Sequence, residues 1–123
     1  MNPDQSEFLI YHIAARQSWR EALETGEYQT SSLEDEGFIH CSRREQVLAT
    51  AERYYHGRSG LVLLEINADP SAVEVRYEPS AQGELFPHIY GPLPVQLVER
   101  VLAFEPREDG LFYWPEDSGK AQT

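Results

Sequence analysis

The strongest pattern in the chain is a series of short apolar segments separated by polar stretches. Residues 8–13 and 61–66 are almost continuously apolar, which is typical of strands buried on both faces. Residues 73–78 alternate between apolar and polar positions and predict a half-exposed strand. Asp-Pro-Ser at residues 69–71 predicts a turn, so we expect the two strands beside it to pair as neighbours. A short turn and a last strand are predicted for residues 95–104.

Two capping boxes predict where helices begin, because a Ser side chain can accept from the backbone while a Glu three residues later reaches back. They are Ser18 with Glu21 and Ser42 with Glu45. We expect Gly26 to end the first helix and Gly57 to end the second. The second helix carries an apolar stripe, formed by Val47, Leu48, Ala51, Tyr54 and Tyr55.

The remaining segments show neither the helical nor the strand period of apolar residues. Residues 27–36 are polar and predict a surface loop, and the Pro-rich residues 86–94 are too rigid to favour regular structure. Residues 111–114 are expected to add an edge strand or to pack on the surface. We expect one domain over residues 1–123, with an ordered core from about residue 6 to residue 115 and a loose polar tail.

This order of elements predicts an α+β fold with a small split or mixed β-sheet and two main helices that come early in the chain. A regular doubly wound parallel sheet fits less well, because several strands follow one another without helices between them. Pattern reasoning leaves the order of the strands in the sheet open.

Composition limits the kinds of molecule that the chain is expected to bind. The chain has 41% hydrophobic residues and a formal net charge of −11, which disfavours nonspecific binding to nucleic acid or to an anionic membrane. Its N-terminal residues lack the basic and apolar regions of a signal peptide, and it has one cysteine, so we expect a cytoplasmic protein. We expect a small-molecule ligand, and the oligomeric state stays open.

Three of the four histidines have similar surroundings. His12, His40 and His88 each lie beside apolar residues, whereas His56 ends a helix, where a positive charge complements the helix dipole. For each of the three taken alone, the simpler interpretation is a structural histidine whose ring nitrogens are hydrogen-bonded within the protein. Three buried rings need partners to offset the cost of burial, and one shared pocket would provide them. His40 also lies on the same face of its short strand as Phe38.

Several familiar chemistries lack support in the sequence. Three imidazoles can bind zinc, but no HxH or HxxxH spacing is present. Cys41 cannot pair with His40 as a nucleophile, because adjacent residues of a strand point to opposite faces. The sequence also contains no Gly-rich phosphate loop, no GxSxG and no GxGxxG.

Four stretches carry a resemblance to a known family. They are residues 37–42, the following helix through Tyr54-Tyr55, residues 61–66 and residues 86–93. Together they resemble a small uncharacterised bacterial and plant family, domain of unknown function nine hundred and fifty-two. The resemblance covers roughly residues 8–104 and implies no established activity.

The order of these motifs is distantly similar to the ADP-ribosyltransferase fold, which RNA 2′-phosphotransferases share. That resemblance implies an ADP-ribosyltransferase-like fold and makes NAD a possible ligand. It places His12 where a first-strand His holds the ribose of NAD. His40 falls near a position where Tyr is usual, and His88 near one where Glu is usual. Because an imidazole has no fixed negative charge, an altered transferase chemistry is implied unless Glu78 or Glu84 replaces that carboxylate.

The leading hypothesis is a cleft that binds an NAD-like, nucleotide or phosphorylated small molecule, with or without catalysis. Its predicted catalytic residues are His12, His40 and His88, with no resident metal. Its predicted ligand-binding residues are Ser42 at a helix start, Arg43 and Arg76 for phosphate, with Arg16 as a further choice, and Tyr90 for ring stacking. The alternatives are a noncatalytic binding or interaction module with structural histidines and a three-histidine metal site.

Overall fold

A computed structural model describes residues 8–115. The strands are β1 (Leu9–Ala15), β2 (Glu27–Tyr28), β3 (Ile39–His40), β4 (Leu61–Asn67), β5 (Glu74–Pro79), β6 (Leu85–Tyr90), β7 (Leu93–Pro94) and β8 (Val98–Ala103). The helices are α1 (Arg16–Thr25), α2 (Ser31–Glu36) and α3 (Val47–Tyr55), with single 3-10 turns at Arg44–Gln46 and Val95–Leu97. The predicted α+β class is confirmed, and α1 and α3 are its two main helices.

The central sheet has the order β1-β4-β8, and both of its pairings are antiparallel. In β4 the side chains of residues 61–66 are all buried, and residues 10–14 of β1 are buried as well. Apolar side chains therefore pack on both faces of these strands, as their continuous apolar sequences predict. One core lies on each side, with Ile10 and Leu64 on one and Val47 and Leu63 on the other.

A second sheet has the order β3-β6-β5, and a small third sheet pairs β2 with β7. A backbone bridge joins the first two sheets: the Tyr11 N–H donates to the Ser42 carbonyl at 2.8 Å, and the Ser42 N–H donates to the Tyr11 carbonyl at 2.7 Å. The strands of residues 8–115 thus form a split set of antiparallel sheets, and the described pairings contain no parallel pair that would make a mixed sheet.

The predicted pairing of the strands on either side of the turn at residues 69–71 is wrong. The turn itself forms, with the Ala72 N–H donating to the Asp69 carbonyl at 2.9 Å. However, both edges of β4 are occupied, by β1 and β8. The half-exposed β5 instead pairs with β6, where one of its faces can remain in solvent.

Residues 86–94 are not irregular, contrary to the prediction. They form most of β6 and all of β7, and Pro87 lies inside β6 opposite Tyr77. Proline removes only a backbone donor. Its carbonyl remains useful, because it accepts from the Cys41 N–H at 3.1 Å and so helps to hold β3 against β6.

Residues 27–36 are not a simple loop either, since they contain β2 and α2. The short helix α2 has no buried residue, which explains why no apolar stripe marks it in the sequence. Gly37 ends α2 with φ of 92°, a conformation that favours glycine, and its N–H donates to the carbonyls of Ser32 and Leu33.

Both predicted capping boxes are misplaced. Helix α1 begins at Arg16 directly after β1, without a side-chain cap, and the Arg16 N–H donates to the Gly60 carbonyl at 2.8 Å. Before α3, the Gln46 side-chain oxygen accepts from the Arg43 N–H at 2.9 Å. The helix ends were predicted correctly: Gly26 caps α1, and residues 56–57 follow the last residue of α3.

Residues 111–114 form no edge strand, and two of them belong to the core. Phe112 stacks on Phe104 with ring centroids 4.8 Å apart, and Trp114 packs edge-on against Tyr11 at 5.3 Å. Arg44 lies 4.1 Å above the Trp114 ring. The predicted polar tail lies outside the described residues. Among residues 8–115, no helix is long and apolar enough to cross a membrane.

Trp114→Ala should therefore lower the free energy of unfolding by about 3 kcal/mol, because it empties a buried site beside Tyr11. The matched control is Tyr113→Ala, which removes a neighbouring ring that is 37% exposed and should cost much less. Urea denaturation of the two variants measures both changes. Equal losses would show that the C-terminal segment does not dock through Trp114.

Candidate functional site

The three histidines singled out in the sequence line one cleft of about 870 Å³. The cleft lies between α3 and the hairpin formed by β5 and β6, with parts of β1 and β3 at its base. Its other lining residues include Phe38, Ser42, Thr50, Arg53, Tyr54, Arg58, Glu78 and Glu84. The structure thus brings the predicted histidines together, while their chemical roles stay predictions.

His12 is buried, and both of its ring nitrogens are bonded. Nδ1 lies 2.5 Å from the His40 carbonyl oxygen, and Nε2 lies 2.9 Å from the Tyr28 hydroxyl. A carbonyl can only accept, so Nδ1 carries the proton and Nε2 accepts from Tyr28. Burial lowers the pKa of His12 to about 4, which keeps the ring neutral. Neither nitrogen is available to a ligand.

His88 is held by a carboxylate. Its Nδ1 lies 2.6 Å from Glu78 Oε1 on the paired strand β5, and its ring stacks on Phe38 with centroids 4.0 Å apart. Hydrogen bonds from Tyr90 and His88 lower the pKa of Glu78, so the carboxylate is ionised and can only accept. In neutral His88 the proton is therefore on Nδ1. Nε2 has no hydrogen-bond partner among residues 8–115.

His40 is held in a similar way, by a carboxylate on α2. Its Nε2 lies 2.6 Å from Glu36 Oε1, and the His40 side chain is 56% exposed. The ring packs edge-on against both Phe38 and His88, at centroid distances of 4.8 Å and 5.2 Å. Nδ1 makes no hydrogen bond to any described residue. His40 and His88 therefore each keep one unbonded nitrogen at the same cleft.

Tyr90 and Arg76 lie beside this cluster and do not line the cleft. The Tyr90 hydroxyl donates to Glu78 Oε1 at 2.7 Å, the same oxygen that His88 contacts. The Arg76 guanidinium lies 4.2 Å above the Tyr90 ring and pairs with Glu74 at 2.6 Å. These contacts support the cluster. Neither Tyr90 nor Arg76, both predicted to bind the ligand, lies on the cleft surface.

Ser42 lines the cleft, with its hydroxyl 3.4 Å from that of Thr50. Its backbone N–H donates to the Tyr11 carbonyl and is not available to an anion, while the ligand-binding role of Ser42 stays a prediction. Arg43 lies outside the cleft lining and pairs with Glu45 at 2.9 Å. The further choice, Arg16, pairs with Glu105 at 2.8 Å.

The arginines that do line the cleft were missed. Arg53 donates to the side-chain oxygen of the neutral Gln82 at 3.3 Å, and the Arg58 guanidinium lies 5.1 Å from the centre of the Tyr55 ring. Among the described residues, neither has a carboxylate partner. A signal for Arg53 was present in the sequence. The polar residues at positions 46, 50 and 53 fall at helical spacing, which places a polar face of α3 beside its apolar one.

Glu36 and Tyr28 were also missed, because their segment was predicted to be a loop. No local signal pairs Tyr28 with His12, which meet through tertiary packing. Glu36 lies four residues before His40, so that pair was the one with a local signal in the sequence. Gln46 was likewise missed: it is buried, and its side-chain nitrogen donates to Glu84 and to the Leu85 carbonyl, both at 2.8 Å. It fixes the start of α3 to the hairpin wall of the cleft.

The other candidate groups differ from the histidine pair. His56 is exposed, bonds to Glu52 at 3.0 Å and lies outside the cleft lining. Cys41 lines the cleft but is buried, and burial raises the pKa of its thiol, which keeps it protonated. Within residues 8–115, no cluster of three or more His, Cys, Asp or Glu side chains could hold a metal ion.

Comparison with known proteins identifies relatives that share this architecture. A family model described as "Protein of unknown function (DUF952)" matches residues 13–101. A crystal structure of protein CC0527 from Caulobacter crescentus is 37% identical, covers 85% of this chain and 93% of that one, and has a TM-score of 0.76. A solution NMR structure of CC0527 is 34% identical, covers 94% and 97%, and has a TM-score of 0.76. No curated protein matches the chain.

The buried His12 predicts a specific pH dependence of stability. Its pKa is about 4 in the folded protein, against 6.5 for an ordinary imidazole. Between these values the unfolded chain binds more protons, so stability is fully present above pH 6.5 and falls as the pH drops. The loss down to about pH 4.5 should be roughly 2 to 3 kcal/mol, measured by urea denaturation across that range.

His12→Gln should be less stable at pH 7 but should show a flatter slope between pH 6.5 and 4.5. His56→Ala removes an exposed imidazole and should keep the wild-type slope. An unchanged slope in His12→Gln would show that another group causes the pH dependence.

Proposed function

The chain belongs to the DUF952 family of proteins of unknown function, and we propose that its cleft binds an NAD-like, nucleotide or other phosphorylated small molecule. In this proposal His40 and His88 contact the ligand and exchange a proton with it. The partner is a small molecule in the cytoplasm, and neither nucleic acid nor a membrane is required.

One observation carries the proposal: two imidazoles lie in contact at one cleft, and each is held by a carboxylate through one nitrogen only. A side chain that merely completes a core would have both nitrogens satisfied, as His12 has. An oriented imidazole with an open nitrogen is the arrangement that general acid or base catalysis needs.

Arg53 and Arg58 extend the proposal to the charged part of the ligand. Guanidinium groups bind phosphate through several N–H donors, and these two line the cleft without a carboxylate partner among the described residues. Tyr54 also lines the cleft and is 67% exposed, so its ring is open to stacking with a base or a nicotinamide.

His12 has a supporting role in this scheme. It positions the His40 backbone through the carbonyl bond and closes the base of the cleft, and it does not exchange protons with the ligand. The proposal therefore divides the three histidines into one positioning residue and two residues that contact the ligand.

A divergent ADP-ribosyltransferase-like or phosphotransferase-like enzyme is the proposed form of catalysis. What supports it is the order of the three histidines along the chain, together with Glu78. This carboxylate lies 2.6 Å from His88, near the position where the resemblance expects a Glu, and it lines the cleft. Glu84 also lines the cleft but bonds to Gln46 and contacts none of the three histidines.

A noncatalytic binding or interaction module is the second candidate. The bonded state of His12 favours it, and so does the charge of the cleft, because Glu45, Glu78 and Glu84 outnumber the two lining arginines. In that case the cleft would favour ligands with little negative charge. A three-histidine metal site has less support, because His12 has no nitrogen left to coordinate a metal.

Isothermal titration against NAD, ADP-ribose and phosphorylated nucleosides at millimolar concentration tests the proposal. We expect heat with at least one of them. We also expect His88→Ala and Arg53→Ala each to weaken binding by about tenfold, as the loss of a charged or oriented hydrogen bond of about 1.5 kcal/mol would do. Thermal unfolding checks that each variant remains folded.

His56→Ala is the matched control, since it removes a histidine at the end of α3 that does not line the cleft. It should bind like the wild type. The absence of heat with every ligand would contradict the nucleotide proposal, and equal weakening by all three variants would contradict the assigned site.

A further inference from the structure

We propose that Glu78 is a positioning residue that fixes the protonation pattern of His88, so that Nε2 faces the ligand as a hydrogen-bond and proton acceptor. This inference deepens the proposed function and rests on it for its meaning in the protein. Its structural core can nevertheless be tested without any ligand.

Two donors share one oxygen of Glu78. Glu78 Oε1 lies 2.6 Å from His88 Nδ1 and 2.7 Å from the Tyr90 hydroxyl. All three residues belong to the β5–β6 pair, and both donors extend from β6 toward one carboxylate on β5. A carboxylate oxygen that receives two donors from the paired neighbouring strand has little freedom to turn away.

The imidazole ring of His88 is held on its face and on its edge. Phe38 stacks on the His88 ring at 4.0 Å with an interplanar angle of 13°, and His40 packs against its edge at 5.2 Å. These contacts restrict rotation of the ring, and the Glu78 bond selects Nδ1 as the protonated nitrogen. The ring is thus fixed both in orientation and in tautomer.

This arrangement leaves Nε2 of His88 to the ligand. Neutral His88 offers a lone pair at Nε2, which accepts a hydrogen bond or a proton from a ligand group such as a hydroxyl. When Nε2 takes a proton, the ring becomes a cation that the adjacent Glu78 carboxylate stabilises. His88 is therefore the residue suited to act as base, with Glu78 and, through it, Tyr90 as positioning residues.

Long-range proton–nitrogen NMR correlation of the imidazole rings tests this directly, at a pH about two units above the ordinary imidazole pKa of about 6.5. In the wild type, we expect the His88 Nδ1 to be protonated and Nε2 to be unprotonated. In Glu78→Ala, the acceptor that selects this tautomer is gone, so a substantial share of the proton should shift to Nε2.

Two further variants keep the test decisive. Glu78→Gln retains an acceptor oxygen and should retain the Nδ1-protonated form, while Glu45→Ala removes a different carboxylate of the cleft and should leave His88 unchanged. Amide spectra check the fold of each variant. If Glu78→Ala is not folded, Glu78→Ser provides the same test, because its short side chain does not reach His88.

An Nε2-protonated ring in the wild type would overturn the inference, and so would an unchanged tautomer in folded Glu78→Ala. These outcomes concern the ring alone. Failure of the proposed function would appear separately, as absent heat in ligand titration while the tautomer shift is still observed.

Discussion

The hydrogen bond from the His12 ring to the His40 carbonyl is the contact on which the site depends. It spans 2.5 Å from the first strand to β3 and lies beside the backbone bridge between Tyr11 and Ser42. Together these bonds hold the second sheet against the first. Apolar packing in the shared core, which includes Ile10, Ile39 and Ile89, also joins the two sheets, so loss of these bonds would loosen the base of the cleft.

Burial explains why neighbouring histidines differ. His12 is enclosed by the core, so it must be neutral and must use both nitrogens within the protein. His40 and His88 lie on the second sheet at the cleft, where solvent or a ligand can satisfy the nitrogen that no described residue contacts. Carboxylates behind the two rings orient them. One fold thus gives the same side chain a structural role in one position and an open nitrogen in the others.

Part of this could be predicted from the sequence. Continuous apolar runs identify the buried β1 and β4, and the stripe that includes Val47 and Ala51 identifies α3, because each pattern reports burial directly. The shared setting of the histidines also indicates one pocket. Helix α2 has no buried residue, and β6 contains a proline, so neither shows the period of its own structure. The pairing of β5 depends on which sheet edges are occupied.

The carboxylate partners of the histidines were the hardest to predict. Glu36 precedes His40 by four residues but lies on a helix without a buried residue to mark it, and Glu78 meets His88 only through the pairing of β5 with β6. The pairing of the arginines was also hard to predict. Arg43 and Arg76 each pair with an acidic residue two positions away, whereas Glu52, the acidic neighbour of Arg53, bonds instead to His56 and to the Phe112 N–H. Whether a guanidinium has a carboxylate partner therefore depends on which other groups already occupy the nearby carboxylates.

The most direct measurement is an NMR titration of the wild-type protein with ADP-ribose, observed at the imidazole nitrogens of all four histidines. We expect the signals of His40 and His88 to shift and saturate together, while those of the enclosed His12 and of His56, which does not line the cleft, change little. Shifts confined to His56, or no shift at any histidine at millimolar ligand, would contradict the claim that the His40 and His88 pair forms the ligand site.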